Sequence, residues 1–184
     1  WQVYLHKTVL AAECMLVNIL KRAKQLAVSG DALFAGPSLR RFLYHDFSAV
    51  DFASDPSLIA DFARLDDNDI IYSIKMWSDH PDFVLKTLCG QLLNRHLLRI
   101  VVSREPFEAG TTEEMIKKTS NLFRISPEDA SFFVISGITR NSAYDPGVDN
   151  ILIMDKRGGL TDIAQASDQL NIRVLSGAVE KFYL

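Results

Sequence analysis

"VYLHKTVLAAECMLVNILKRAKQL", residues 3–26, decides how the rest of the chain is read. Its apolar residues Leu5, Val9, Ala12, Leu16, Ile19, Ala23 and Leu26 recur at alternating intervals of four and three. That spacing lays them on one stripe of an α-helix. Leu10, Val17, Leu20 and Ala27 widen the stripe, so the helix is expected to be buried on more than one side. At about 1.5 Å per residue it runs for nearly 40 Å. Ser29-Gly30-Asp31 is the expected stop.

The grammar stays helical for some distance beyond it. Gly36-Pro37-Ser38 reads as a turn opening a short helix around Leu39 to Leu43. Ser54-Asp55-Pro56 offers a cap with proline in the first turn, and Leu58, Ile59, Phe62 and Leu65 supply an apolar face. "DDNDIIYSIKMWSDH" (66–80) places acids at the positive end of a helix. "HPDFVLKTLCGQLLNR" (80–95) starts another at Pro81 and packs through Phe83, Leu85, Leu88, Leu92 and Leu93.

Near Leu97 the pattern changes. "LLRIVVS" (97–103), "SFFVISGITR" (131–140) and "NILIMD" (150–155) read as strands, separated by a helix "TTEEMIKKTSNLF" (111–123) with a threonine cap. Asp145-Pro146-Gly147 and Lys156-Arg157-Gly158-Gly159 read as turns, and Ile172–Leu175 and Lys181–Leu184 as short strands. The expected class is α+β. A helical, bundle-like half (1–96) is followed by a small mixed α/β layer with a mainly antiparallel sheet (97–184). The boundary falls between Asn94 and Arg104, and with no Pro/Ser-rich linker the halves are expected to pack as one body.

With 184 residues, 48% of them hydrophobic, the chain can bury a core without metal or disulfide staples. A net charge of −3 argues against a general nucleic-acid binder. No apolar run reaches the ~20 residues of a membrane helix, and no signal peptide is found. Cys14 and Cys89 sit in apolar helical contexts and read as buried free thiols, pointing to a reducing, cytoplasmic setting. The start at Trp1 suggests a fragment.

His45-Asp46 invites comparison with the adjacent pair that names the HD phosphohydrolases. With His6 upstream, a formal metal set can be assembled. Yet metal ligands need rigid, converging elements, and His45 falls in a turn-rich stretch, so the pair reads as coincidence. His80-Pro81-Asp82 reads as a helix start, His96 as a surface residue at a helix end, and "LDDNDI" as first-turn acids, not a calcium loop. Fingerprints for dinucleotides, P-loop phosphates and the nucleophile elbow are missing from the sequence.

The opening helix also carries a resemblance. Tyr4, His6 and Lys7 match a Tyr-x-His-Lys motif that opens the helix following the catalytic core in HD-superfamily phosphohydrolases of the dNTP triphosphohydrolase type. "FARLDDNDIIYSIKMWSDHPDFVLKTLCGQLLNRHLLRIV" resembles the later helices of that family, its Asn94-Arg95 preceding the turn into a strand. The last 80 or so residues look like the tail of bacterial members.

The resemblance implies that the metal-binding histidines and aspartates precede the Tyr-x-His-Lys helix. This chain would then be the C-terminal portion of a metal-dependent nucleotide phosphohydrolase. No cofactor is expected in the chain itself, and a divalent metal is expected in the intact enzyme. By resemblance, Tyr4 lines the sugar pocket, Lys7 contacts nucleotide phosphates at an allosteric site, and His6 is its neighbour. Helical geometry sets Tyr4 and His6 about 200° apart, with Lys7 on Tyr4's side. The expected role is to complete the substrate pocket and support a homo-oligomer, with nucleotide as partner and neither membrane nor specific nucleic acid. Two alternatives stay open: a non-catalytic interaction module, and a compact HD metal hydrolase using His6, His45 and Asp46.

Overall fold

A computed structural model describes residues 6–141, 151–163 and 179–184. The first helix, α1 (Lys7–Val28), starts later than its apolar pattern predicts. His6 is its N-cap, with extended backbone (φ −67°, ψ 141°), and its Nδ1 accepts the Thr8 N–H at 3.3 Å. The helical angle between Tyr4 and His6 therefore has no basis, since His6 stands outside the helix. The buried stripe keeps the expected Leu10, Ile19, Ala23 and Ala27, with Leu16, Leu20 and Leu26 packed against the core, and adds Ala11, Met15 and Asn18. Ala11, Met15, Asn18, Ile19, Ala23 and Ala27 face the core, while Val9 and Val17 are exposed. Three of those six are alanines, which let neighbouring helices approach closely, and Asn18 earns its place by a hydrogen bond. Bulk apolarity alone misses Asn18 on such a face and overrates Val9 and Val17.

Short capped helices follow. α2 (Pro37–Tyr44) starts two residues earlier than expected, with Gly36 as its cap and Pro37 in its first turn rather than in a preceding turn. The Tyr44 hydroxyl accepts from the Leu33 N–H at 2.7 Å and donates to the Asp31 carbonyl at 3.0 Å, pinning the loop after α1. α3 (Ala49–Ser54) is held by a Ser48/Asp51 capping box, and α4 (Pro56–Phe62) by Asp55. On α4 only Leu58 is buried; Ile59 and Phe62 remain exposed. α5 (Asp67–Trp77) opens on an Asp66/Asp69 capping box, which accounts for the acidic run. In α6 (Phe83–Leu93) the N-cap is Asp82, one residue past the predicted proline start.

These helices share one core, built from Met15, Ile19, Ile74, Trp77, Leu85, Leu88 and Cys89 with neighbours. The Trp77 Nε1 donates to the Phe34 carbonyl at 2.8 Å, so the largest buried side chain satisfies its polar atom. Phe132 and Phe133, from beyond the expected boundary, belong to the same cluster.

α7 (Thr111–Phe123) begins after Gly110, whose φ of 87° only glycine adopts freely; Thr111 is the first helical residue, not the cap. α8 (Pro127–Ser131) ends on the first residue of the segment 131–140 read as strand, of which only the part from Gly137 onward is strand. The strands β1 (Val102–Ser103), β2 (Gly137–Asn141) and β5 (Val179–Tyr183) form an antiparallel sheet in the order β1-β5-β2. Reciprocal bonds between Val101 and Leu184 extend its β1 edge. Gly137 lies under the Tyr183 ring, and any side chain there collides with it. β3 (Leu152–Met154) and β4 (Leu160–Asp162) make a separate antiparallel hairpin. The class is α+β, as expected. The turn at 145–147 and the strand at 172–175 lie outside the described residues.

One ion-pair cluster fixes the helical core to the later segment. Arg22 on α1 donates to both carboxylate oxygens of Asp82 (Nε 3.1 Å, Nη2 2.6 Å) and lies 3.1 Å from Asp129 on α8. Its guanidinium also sits over the Phe132 ring, 5.5 Å from the centroid. Burial opposes ionisation of Asp82, but hydrogen bonds from Arg22 and the Leu85 N–H, with the Arg22 charge, outweigh it and hold the carboxyl below its usual range.

Candidate functional site

The histidine–aspartate set does not come together. His45 is the exposed C-cap of α2, and Asp46 is an exposed residue paired with Lys24 at 3.0 Å. Lys24 lies eighteen residues along α1 from His6, about 27 Å of helix. His6 and Asp46 therefore occupy opposite ends of α1. Among the described residues no group of three or more His, Cys, Asp or Glu side chains is placed to hold a metal ion. The acids of 66–69 cap α5. These residues do not fit a divalent cation.

Tyr4 lies outside the described residues. Lys7 is the first residue of α1, is exposed, and lines a shallow groove of about 390 Å³ with Thr8 and Ala11. The opposite wall comes from the end of α6 and the chain after it: Arg95, Leu97, Leu98 and Ile100. The groove has a cation on each wall and, among the described residues, no acidic lining residue. His6 stays beside it, engaged as the helix cap.

Arg95 reaches this position through an unusual turn. α6 ends in a Schellman arrangement, with the His96 N–H on the Gln91 carbonyl (2.9 Å) and the Arg95 N–H on the Leu92 carbonyl (3.2 Å). That motif needs a left-handed residue at Arg95, which has φ 59°. Glycine fills this place most cheaply; a side chain there costs roughly 1–2 kcal/mol. Arg124, at the end of α7, has the same conformation (φ 56°) but is not among the residues lining the groove.

Across Ala11, Leu98 and Ile100 the groove adjoins a deeper, apolar slot of about 350 Å³. α1 gives Cys14, α7 gives Met115 and Thr119, and the segment after α8 gives Phe133 and Ile135, with Tyr183 closing one side. Burial, with a hydrogen bond to Cys14, raises the Tyr183 phenol above its ordinary value. Cys14 is half-buried on the slot wall. Cys89 is buried in the core, and burial pushes its thiol up to about 12. The two cysteines thus differ in reach, although the sequence reads both as buried.

The combined cleft offers cationic groups at a shallow end and an apolar recess at the other. Such a shape accepts a ligand with an anionic head and a flat or apolar body. Lys7, which the resemblance assigns to nucleotide phosphates, stands on one wall of the groove. Arg95 is missed as a site residue, because nothing in the sequence marks a left-handed arginine.

No family model matches the chain. It is 28% identical to an uncharacterised protein, YwfO, of Bacillus subtilis, over 91% of this chain and 37% of that protein. It is 43% identical to a phosphohydrolase of Bacteroides thetaiotaomicron whose crystal structure superposes with a TM-score of 0.86, covering 100% of this chain and 45% of that one. The chain spans less than half the length of either relative. It has the fold of the matching portion of a phosphohydrolase. Among the described residues no helix is long and apolar enough to cross a membrane.

Proposed function

We propose that this chain is the C-terminal portion of an HD-superfamily phosphohydrolase of the dNTP triphosphohydrolase type, and that its cleft holds a nucleotide. The single observation that carries the reading is the 43% identity, over the whole chain, to a phosphohydrolase of the same fold. The cleft supports it independently. Lys7 and Arg95 supply charge to phosphate oxygens from two walls, and the apolar slot beside them has room for a base. Tyr4, two residues before the cap of α1, is assigned to the sugar. Divalent metal is expected in the intact enzyme, with ligands outside the set described above. The phosphate charge sits at the solvent-facing end, so binding falls as salt rises.

Calorimetric titration with each of the four dNTPs tests this. Triphosphates should bind more tightly than the matching nucleosides, and Lys7→Ala and Arg95→Ala should each weaken binding about tenfold, the scale of one charge-assisted hydrogen bond. Equal affinity for nucleoside and nucleotide, or binding untouched by both substitutions, overturns it.

A further inference from the structure

An aromatic layer stands apart from the core. Phe42 on α2 meets Phe47, Phe52 on α3 and Phe62 on α4, with ring centroids 5.7, 6.1 and 5.8 Å away. None of the four is a member of the buried core built on Met15, Ile19 and Trp77. Arg41 ties this layer to α2. Its guanidinium donates to Asp55 (2.7 Å), Asp61 (2.6 Å) and the Ser57 hydroxyl (2.9 Å), and sits over the Phe47 ring, 5.8 Å from the centroid. The outer side is bare. Phe62 is 61% exposed, Ile59 57% and Val50 75%. Ile59 and Phe62 are three positions apart on α4 and share a face. α3 buries no residue and α4 only Leu58. Single apolar residues on a surface are ordinary; neighbouring ones seated on an aromatic layer mark a contact face.

The same stretch concentrates the chain's negative charge. From Asp46 to Asp69 there are seven aspartates and one cation, Arg64, a net of −6 in a chain whose total is −3. Arg41 answers Asp55 and Asp61, and Lys24 answers Asp46. Among the described residues no cation lies within ion-pair distance of Asp51, Asp66 or Asp67. Hydrogen bonds from Ser48 to Asp51, and from Asp69 and Asn68 to Asp66, hold both carboxyls below their ordinary range. These charges select the occupant. Nucleic acid and anionic lipid are repelled. A twofold contact of this face with itself sets the aspartates of one copy against those of the other. α3 and α4 offer side chains and no strand edge, so an extended peptide finds no backbone partner here. An amphipathic helix with leucine or phenylalanine on one face and lysine or arginine along its flanks matches both the apolar surface and the charge.

We propose that the α3–α4 face is a docking surface for a basic amphipathic helix of another protein, with Ile59 and Phe62 as its apolar contacts. Fluorescence anisotropy with a labelled peptide of about 18 residues, leucine on one helical face and lysine on the other, tests it. The peptide should bind saturably with a low-micromolar Kd, more weakly as salt rises, and its glutamate counterpart should not bind. Ile59→Gln and Phe62→Gln should each weaken binding about tenfold. Ala60, exposed on α4, carries the charge test. Ala60→Lys should weaken binding at least about threefold, and Ala60→Glu should not weaken it. Leu122→Gln, exposed on α7, should leave binding unchanged. No saturable binding, equal binding of the glutamate peptide, or binding indifferent to the Ile59, Phe62 and Ala60 variants overturns the proposal. So does an equal loss in Leu122→Gln. Sedimentation velocity of the chain alone checks for a second copy as the occupant. An oligomer that Ile59→Gln dissociates assigns this face to self-association and overturns the proposal as well. Far-UV circular dichroism checks the fold of each variant. If Phe62→Gln unfolds, Ile59→Gln and the two Ala60 variants carry the decision.

Discussion

Among the described residues two arginines hold left-handed backbone, and of these Arg95 lines the cleft. Arg95→Gly should raise stability by about 1 kcal/mol by removing the Cβ penalty, while weakening nucleotide binding. Arg124→Gly should give a similar gain and leave binding alone. Denaturant titration beside calorimetry separates the two effects. Such a pairing of cost with function is what strained backbone at a site leads one to expect. Asp82 offers a pH test. Its carboxyl titrates lower in the folded than in the unfolded chain. Its contribution is then complete above the unfolded value, near 4, and is lost as pH falls through the folded value. Asp82→Asn should be less stable than wild type at neutral pH, and the gap should narrow as the solution is acidified below about 4. Urea midpoints across that range measure it.

Helix termini did much of the work of placing the elements. Asp66→Ala removes two cap bonds from the start of α5, Asn68 N–H at 2.8 Å and Asp69 N–H at 3.1 Å. It should cost about 1 kcal/mol, read from the thermal midpoint. α2, α4, α5 and α6 are legible because proline or a capping acid stands before an apolar period, and α7 because early glutamates and later lysines follow its start. The short helices α3 and α8 are not, since six and five residues hold too little period to register. The start of α1 is misplaced because Tyr4 and Leu5 extend its apolar pattern past a histidine that caps it. At the cleft, Lys7 is the wall residue to which the Tyr-x-His-Lys resemblance draws attention. The opposing Arg95 depends on a turn joining parts of the chain nearly ninety positions apart, and no local pattern encodes that meeting.

The whole molecule depends on contacts between its first helix and its later segments. Asn18 is buried, and its Nδ2 donates to the Phe132 carbonyl at 2.8 Å. Asn18→Ala takes that donor away inside the core and should cost about 1–3 kcal/mol. The denaturant midpoint should fall with the slope unchanged, as for one cooperative unit. Leu98 belongs to this union as well, its N–H directed at the Met15 sulfur at 3.3 Å. The bond from Asn18 to Phe132 spans 114 positions, and that distance has a consequence during synthesis. Helix α1 is among the first parts of this chain to leave the ribosome, yet one wall of its packing is made much later. Residues 33–89 can already cover most of its inner face, but the Asn18 amide and the part of α1 under Phe132 and Phe133 stay wet until those residues emerge.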